Sequence, residues 1–229
     1  MRIRFWVLGP TSYVLRSNAL LDFHCMRTLL HTRIRPMSVE DIPQVADVER
    51  ESFPSMWPQT AYRRELTNKI ARYTVVTELR DESSAQPAGV WNALRRMVGV
   101  EPAQTTEHLL GFIGVWLMAG EAHIVTVAVR TSRRRMGIGE RLLIAAIEQA
   151  IECGQELVTL EVRASNDAAR RLYEKYGFNN VGRRVRYYTD NNEDAIIMTT
   201  PDLDAAAFRA HFDDLRRRHR AEYGDLWAD

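Results

Sequence analysis

The sequence Arg133-Arg134-Arg135-Met136-Gly137-Ile138-Gly139 lies between a run of β-branched residues and a helical pattern. The run before it, His123 to Val129, predicts a largely buried strand. After it, apolar residues recur at helical spacing as far as Ile151, and Gly154 stands where a helix would end. The stretch is therefore predicted to be a short basic loop that joins a strand to a helix.

This loop has the chemistry of an anion-binding site. Gly137 and Gly139 let backbone N–H groups approach a ligand with no Cβ in the way. The N-terminus of the following helix adds unsatisfied N–H groups and the positive end of the helix dipole. The alternative is a surface turn whose glycines only satisfy a positive φ and whose arginines face water. The glycine spacing fits neither a P-loop nor a G-x-G-x-x-G dinucleotide loop.

The composition is that of an ordinary globular protein. The chain has 229 residues, 45% hydrophobic and 27% charged, which suffices for one sizeable core with appendages. The net charge of +1 disfavours direct binding to a nucleic-acid duplex. Cys25 and Cys153 are far apart and lack metal-ligand spacing, so we expect a reducing, cytoplasmic environment with neither disulfide nor metal. A run of about 18 apolar residues is absent from the sequence, so we expect no membrane span.

Residues 1–32 are predicted to be an N-terminal extension. A basic start followed by Phe5-Trp6-Val7-Leu8 suggests a signal peptide, but Gly9-Pro10 cuts the apolar run short. The alternative is an upstream start in place of Met26, and the sequence does not decide between Met1 and Met26.

The remaining chain is predicted to form a domain at 33–200 and an amphipathic helix within 201–229. An excursion rich in turn residues interrupts the domain at 80–107, and residues 90–98 could form a short helix inside it. The predicted strands are 34–37, 73–79, 109–118, 123–129, 156–162, 178–188 and 195–199. The C-terminal helix is expected to dock on the domain through the stripe Phe208, Phe212 and Leu215.

Residues 33–200 resemble the GNAT superfamily of N-acetyltransferases and, within it, the ribosomal-protein-alanine N-acetyltransferases of the RimI type. The most specific match is Leu160-Glu161-Val162-Arg163-Ala164-Ser165-Asn166 together with residues 171–178. Shorter matches lie at 34–37, 49–54, 134–139 and 192–195. The resemblance implies an α/β (α+β) GNAT fold: a mixed, mostly antiparallel central sheet flanked by helices, whose splayed central strands hold acetyl-CoA. Met136 departs from the family, which commonly has glycine or arginine there.

The resemblance also implies a role for individual residues. Main-chain groups for the pantetheine arm and the acetyl carbonyl would come from Val127, Ala128 and Val129. The pyrophosphate would be held by Arg134, Arg135, Met136, Gly137, Ile138, Gly139 and Glu140. Asn166 would reach the pantetheine arm, Glu161 matches the general base, and Tyr173 matches the general acid. His123, at the start of the central strand, is expected to be structural rather than part of a proton relay.

Acetyl transfer to an amine needs a proton acceptor and a proton donor. An α-amine has a reference pKa of about 8, so it must lose a proton before it can attack a thioester. A carboxylate within reach can take that proton, and a phenol can protonate the leaving thiolate. Without the resemblance, Glu161 would be interpreted as a solvated strand residue and Tyr173 as a packing residue.

The expected function is acetyl transfer from acetyl-CoA to the N-terminal α-amine of a protein, in particular the N-terminal alanine of a small-subunit ribosomal protein. One alternative is an acetyltransferase that acts on other protein N-termini, on lysine or on a small amine. Another is a non-catalytic module that binds acetyl-CoA. The expected partner is a protein N-terminus, with neither nucleic acid nor membrane involved, and the sequence does not predict the oligomeric state.

Overall fold

A mixed β-sheet of seven strands forms the centre of the described part of the chain. The structure is a computed structural model that describes residues 32–53, 58–81 and 105–224. The strands are β1 (Thr32–Pro36), β2 (Ala71–Asp81), β3 (Thr105–Met118), β4 (Glu121–Val129), β5 (Leu157–Arg163), β6 (Asn179–Tyr188) and β7 (Glu193–Thr199). Their order is β1-β2-β3-β4-β5-β7-β6, and all neighbours are antiparallel except β4 and β5. This confirms the expected mixed, mostly antiparallel sheet.

Five helices flank the sheet in the described ranges. They are α1 (Ile42–Ser52), α2 (Gln59–Thr67), α3 (Ile138–Glu152), α4 (Asp167–Lys175) and α5 (Ala206–Tyr223). The parallel pair β4 and β5 cannot be joined by a tight turn, so the chain crosses over through α3. Gly154, which is predicted to end α3, and Gly177, which follows α4, have φ of +66° and +85°, the left-handed conformation that stops a helix. Within the described residues, no helix is long and apolar enough to cross a membrane.

The core has two parts, one on each face of the sheet. Strand side chains alternate between the two faces, and Leu110 is an extra residue of β3, because Val76 and Thr77 of β2 pair with Gly111 and Leu109. With this bulge, Leu109 and Phe112 pack with α1 and α2, whereas Leu110 and Ile113 pack with α3 and α5. The central strands are therefore covered by helices on both sides. This explains why β4 appears in the sequence as a nearly continuous apolar run.

The C-terminal helix docks on the domain as predicted. Phe208, Phe212 and Leu215 are buried in the same core as α3. The rings of Phe208 and Phe212 are stacked at 6.2 Å, and Phe212 meets Tyr176 edge-on at 6.3 Å. The helix begins at Ala206, inside the predicted range 201–229, and Leu203 ahead of it is itself buried.

The predicted boundaries 80 and 107 of the excursion are wrong at both ends. Residues 80–81 and 105–107 belong to β2 and β3, which pair as far as Asp81 opposite Thr105. The reason is visible at Glu107, whose carboxylate accepts two hydrogen bonds from Arg35 of β1 at 2.6 and 2.9 Å. Residues 82–104, with the short helix predicted at 90–98, lie outside the described residues, as do residues 1–31 of the predicted extension.

Candidate active site

The pairing of β4 with β5 stops halfway along both strands. Four residue pairs join them, from Glu121 opposite Leu157 to Ile124 opposite Leu160. Beyond that point β4 runs on to Val129 without pairing to β5. The cause is a bulge in β4. Gly114 of β3 pairs with Thr126, and the next residue, Val115, pairs with Ile124. Val125 is therefore an extra residue of β4. Such a bulge bends the strand, and the two strands separate into the splay that the resemblance implied.

Main-chain groups of β4 line this gap. The Arg130 amide donates to the Leu110 carbonyl of β3 at 2.8 Å, so Arg130 faces β3. The backbone N–H and C=O groups of successive strand residues point to alternate sides. Those of Ala128 therefore also point toward β3, whereas those of Val127 and Val129 point into the gap. Of the three residues predicted to offer main-chain groups, the geometry thus directs two into the gap and Ala128 away from it.

Two adjoining cavities occupy the gap, of about 340 and 630 Å³. The smaller contains the Glu161 side chain, and the larger is bounded by the basic loop and the start of α3. Both are lined by Ser52, Phe53, Ile124, Val127, Asn166 and Tyr173. A ligand that follows the gap would therefore extend from the basic loop to Glu161.

The three arginines of the loop have different environments. Arg133 donates two hydrogen bonds to the buried carboxylate of Glu78, at 2.8 and 2.9 Å, so its charge is already compensated. Among the described residues, Arg134 makes two long hydrogen bonds of 3.3 Å, to the Val129 carbonyl and to the Ser52 hydroxyl. Arg135 is exposed and has no ion pair within the described ranges. Arg134 and Arg135 are therefore the two loop arginines available to an anion.

The start of α3 fits a phosphate group. The N-cap residue Gly137 has a φ of +77° and no side chain with which to cap the first N–H groups of the helix, which are left without intrahelical partners. Ile138 is buried in the core, and Met136 packs against it, so these two residues can offer only backbone groups. The Glu140 carboxylate accepts from the Tyr176 hydroxyl at 2.7 Å and from Lys175 at 2.6 Å, so it too can offer only its N–H.

Glu161 lies between two basic side chains. Its Oε2 is 3.0 Å from Nε2 of His123, its Oε1 is 2.9 Å from Nη2 of Arg184, and its side chain is only 8% exposed. Sequence reasoning missed both neighbours. His123 stands on β4 and Arg184 on the edge strand β6, so their approach to Glu161 depends on strand pairings that no local pattern encodes.

Tyr173 and Asn166 both belong to the segment that follows β5. Tyr173 is buried at the junction of the two cavities, and burial, reinforced by Tyr188, raises its pKa. The phenol therefore keeps its proton at neutral pH. Asn166 caps α4, since its Oδ1 accepts from the Ala169 amide at 3.2 Å, which leaves its NH₂ group for a ligand.

Glu49 is a further cavity residue to which sequence reasoning gave no role. It lines the smaller cavity, is 3% exposed, and forms a hydrogen bond with the phenol of Tyr62. Burial first, and then Glu49, raise the pKa of Tyr62. A signal was present in the sequence: Ile42, Val45, Ala46 and Glu49 follow the i, i+3, i+4, i+7 spacing of one helix face. A carboxylate on an apolar stripe is a candidate site residue.

Residues 42–178, more than half of the chain, match the family model described as Acetyltransferase (GNAT) family. The chain therefore belongs to the GNAT family, whose members use acetyl-CoA, and is an acyltransferase. Among its relatives is the putative ribosomal protein bS18-alanine N-acetyltransferase of Bacillus subtilis (strain 168), 33% identical over 166 residues, which span 72% of this chain and 92% of that one. The resemblance found in the sequence is confirmed.

Two solved structures are similar in fold and sequence. The ribosomal-protein-S18-alanine N-acetyltransferase from Escherichia coli has a TM-score of 0.57 and 26% identity, over 75% of this chain and 94% of that one. Ard1 from Thermoplasma volcanium has a TM-score of 0.56 and 28% identity, over 74% of this chain and 96% of that one. Among the described residues, no group of three or more His, Cys, Asp or Glu side chains could hold a metal ion.

Replacing Gly137 with valine is expected to weaken binding of acetyl-CoA by about tenfold or more. A Cβ at this position would lie 2.9 Å from the Tyr223 ring, on a backbone with φ of +77°, so the loop would have to move. Isothermal calorimetry measures the effect. Gly154→Val is the matched control, because Gly154 has a φ of +66° and, among described atoms, nothing within 4 Å of its added Cβ. Unchanged affinity in folded Gly137→Val would contradict the assignment of this loop.

Proposed function

We propose that the protein transfers an acetyl group from acetyl-CoA to the N-terminal α-amine of another protein, and that the acceptor is the N-terminal alanine of a small-subunit ribosomal protein. The observation that carries the proposal is that Glu161, a proton acceptor, and Tyr173, a proton donor, line the same cavity at the strand splay. The names of the Bacillus subtilis and Escherichia coli relatives support the choice of acceptor.

Acetyl-CoA fits the larger cavity by the chemistry of its lining. Arg134, Arg135 and the free N–H groups at the start of α3 suit a pyrophosphate. Val127 and Val129 present main-chain groups, and Asn166 an NH₂ group, to an amide-containing arm. When bound, acetyl-CoA supplies an acetyl group activated as a thioester.

Glu161 is proposed to take the proton of the acceptor amine. An α-amine has a reference pKa of about 8 and is mostly protonated at neutral pH. The carboxylate is held in place by His123 and Arg184. The sequence predicts a structural role for His123, but its ring is close enough to Glu161 to serve as an onward acceptor for the proton. Nδ1 of His123 is in turn 3.5 Å from Glu121, whose side chain is 40% exposed, so this chain of groups extends toward solvent.

Tyr173 is proposed to protonate the leaving thiolate. Its raised pKa means that it holds a proton throughout the neutral range, whereas a thiol has a reference pKa of about 8.5 and its conjugate base needs a proton on departure. The N–H of Val127, which faces the gap, can donate to the carbonyl oxygen as that atom gains negative charge.

The chemistry of the acceptor amine favours a protein N-terminus over a lysine side chain. A lysine amine has a reference pKa of about 10.4, so its proton is harder to remove than that of an α-amine, with a pKa of about 8.

An acceptor panel tests the proposed substrate. Acetyl-CoA consumption is measured with a peptide that begins with alanine, the same peptide with an acetylated N-terminus and an internal lysine, and a free small amine. The alanine peptide is expected to have a kcat/KM at least about tenfold above the others, equivalent to about 1.4 kcal/mol of discrimination. Equal turnover of the blocked lysine peptide would contradict acetylation of N-termini.

Glu161→Gln is expected to lower kcat by roughly 10²–10⁴-fold, the usual effect of losing a positioned proton acceptor. Affinity for acetyl-CoA should be unchanged, because the carboxylate serves the acceptor side. Activity should recover in part as the pH rises, since the amine then loses its proton to solvent. Tyr173→Phe should show no such recovery, because its defect is at the leaving thiolate.

Glu156→Gln, at an exposed position just before β5, is the control for removing one carboxylate near the same strand. It should match the original protein at every pH. A kcat in Glu161→Gln equal to that of the original protein at neutral pH, with chemistry shown to be rate-limiting, would remove Glu161 from the mechanism.

A further inference from the structure

The C-terminal helix reaches the basic loop from outside the segment that defines the family. The family match ends at residue 178, and α5 begins at Ala206. Nevertheless, the Tyr223 ring would be 2.9 Å from a Cβ on Gly137, and Tyr223 lines the 630 Å³ cavity together with Arg134 and Arg135. The last turn of α5 is therefore in van der Waals contact with the loop that suits a pyrophosphate.

His219, one turn earlier on α5, is hydrogen-bonded to the same glycine. Its side chain is 3% exposed, and its Nε2 is 3.1 Å from the Gly137 carbonyl oxygen. Burial lowers the pKa of His219, so the ring is neutral at pH 7 and carries one N–H. A carbonyl oxygen only accepts, so this hydrogen is on Nε2. The rings of His219 and Tyr223 lie 4.8 Å apart, so the two side chains form one layer against the loop.

The bond from His219 fixes a peptide group of the candidate anion site. The Gly137 oxygen also accepts from the Arg141 amide at 2.8 Å, the first hydrogen bond of α3. With two donors on this oxygen, the plane of the Gly137–Ile138 peptide is set. Since the peptide group is planar, the Ile138 N–H points the opposite way, at the helix end where an anion would bind.

The rest of α5 is anchored firmly enough to hold these two side chains. Phe208, Phe212 and Leu215 are buried in the core that contains α3. Arg216 donates to Glu148 of α3 at 3.1 Å. The helix is thus packed along α3, and its end is positioned by contacts that do not involve the loop.

We propose that α5 completes the acetyl-CoA site: Tyr223 forms a wall for the nucleotide half of the molecule, and His219 is a positioning residue that orients the Gly137–Ile138 peptide toward its phosphates. The proposal rests on the proposed function, in which acetyl-CoA occupies the gap. It assigns part of the cofactor site to a helix outside the family match.

Binding of CoA and of its nucleotide half, adenosine 3′-phosphate 5′-diphosphate, to the full-length chain tests the role of Tyr223. Tyr223→Ala is expected to weaken both by the same factor, about tenfold, because the lost contacts belong to the half that they share. Tyr223→Phe should bind both as the original protein does, since the ring is retained. The control is Glu222→Ala, an exposed neighbour on the same turn. Unchanged affinity in Tyr223→Ala, or a loss for CoA alone, would overturn the assignment.

Two variants at His219 separate positioning from packing. His219→Ala removes the donor and should weaken CoA binding several-fold, whereas His219→Gln keeps an N–H donor at similar reach and should restore the affinity. His219→Ala can be judged only if it folds, which circular dichroism shows. If it does not fold, His219→Gln still tests the proposal: a folded His219→Gln protein that has lost affinity for CoA would overturn the role of His219.

Both measurements use CoA without an acceptor. Failure of the original protein to bind CoA would therefore count against the proposed function. CoA binding that is indifferent to all the Tyr223 and His219 variants would count against the role of α5 alone.

Discussion

The interruption of strand pairing between β4 and β5 determines where every part of the site can be. The pairing ends after Ile124 and Leu160, because Val125 is an additional residue in β4. From there Val127 and Val129 turn main-chain groups toward a gap instead of a neighbouring strand. Had the ladder continued, those groups would have been satisfied within the sheet and the two cavities would not exist.

The parallel direction of the two strands has a second consequence. Parallel neighbours need a long crossover, here α3, which starts near the end of β4. The positive end of its dipole is therefore located at the mouth of the gap. On the other side of the gap, β5 carries Glu161 past the last paired residue, and Tyr173 follows on α4. One topological feature thus sets the positions of the proposed anion-binding end and the proposed proton-transfer end of the cleft.

Periodicity and spacing predicted the strand, loop and helix around Gly137, because these elements are local in sequence. The role of Glu161 came from the resemblance to the GNAT superfamily, since spacing alone would have made it a solvated strand residue. The three loop arginines were not distinguishable in the same way. Only the fold places buried Glu78 beside Arg133 and leaves Arg134 and Arg135 near the cavity. Counter-charges that come from distant strands cannot be assigned from spacing.

The contacts that sequence reasoning missed are those between remote segments. His123 and Arg184 approach Glu161 from two different strands, and His219 bonds to a glycine 82 positions before it. Each depends on strand register or on helix docking, which are decided by the packing of the whole domain. Glu49 is different, because its place on an apolar helix stripe was readable from the sequence.

The central claim is that the unpaired half of β4 holds acetyl-CoA, and amide hydrogen exchange followed by NMR tests it most directly. With saturating CoA, the amides of Val127 and Val129 are expected to gain protection, because they face the gap. The amide of Ala128, which faces β3, should be unchanged. If CoA binds while Val127 and Val129 exchange at the same rate as in the free protein, the gap between β4 and β5 is not the cofactor site.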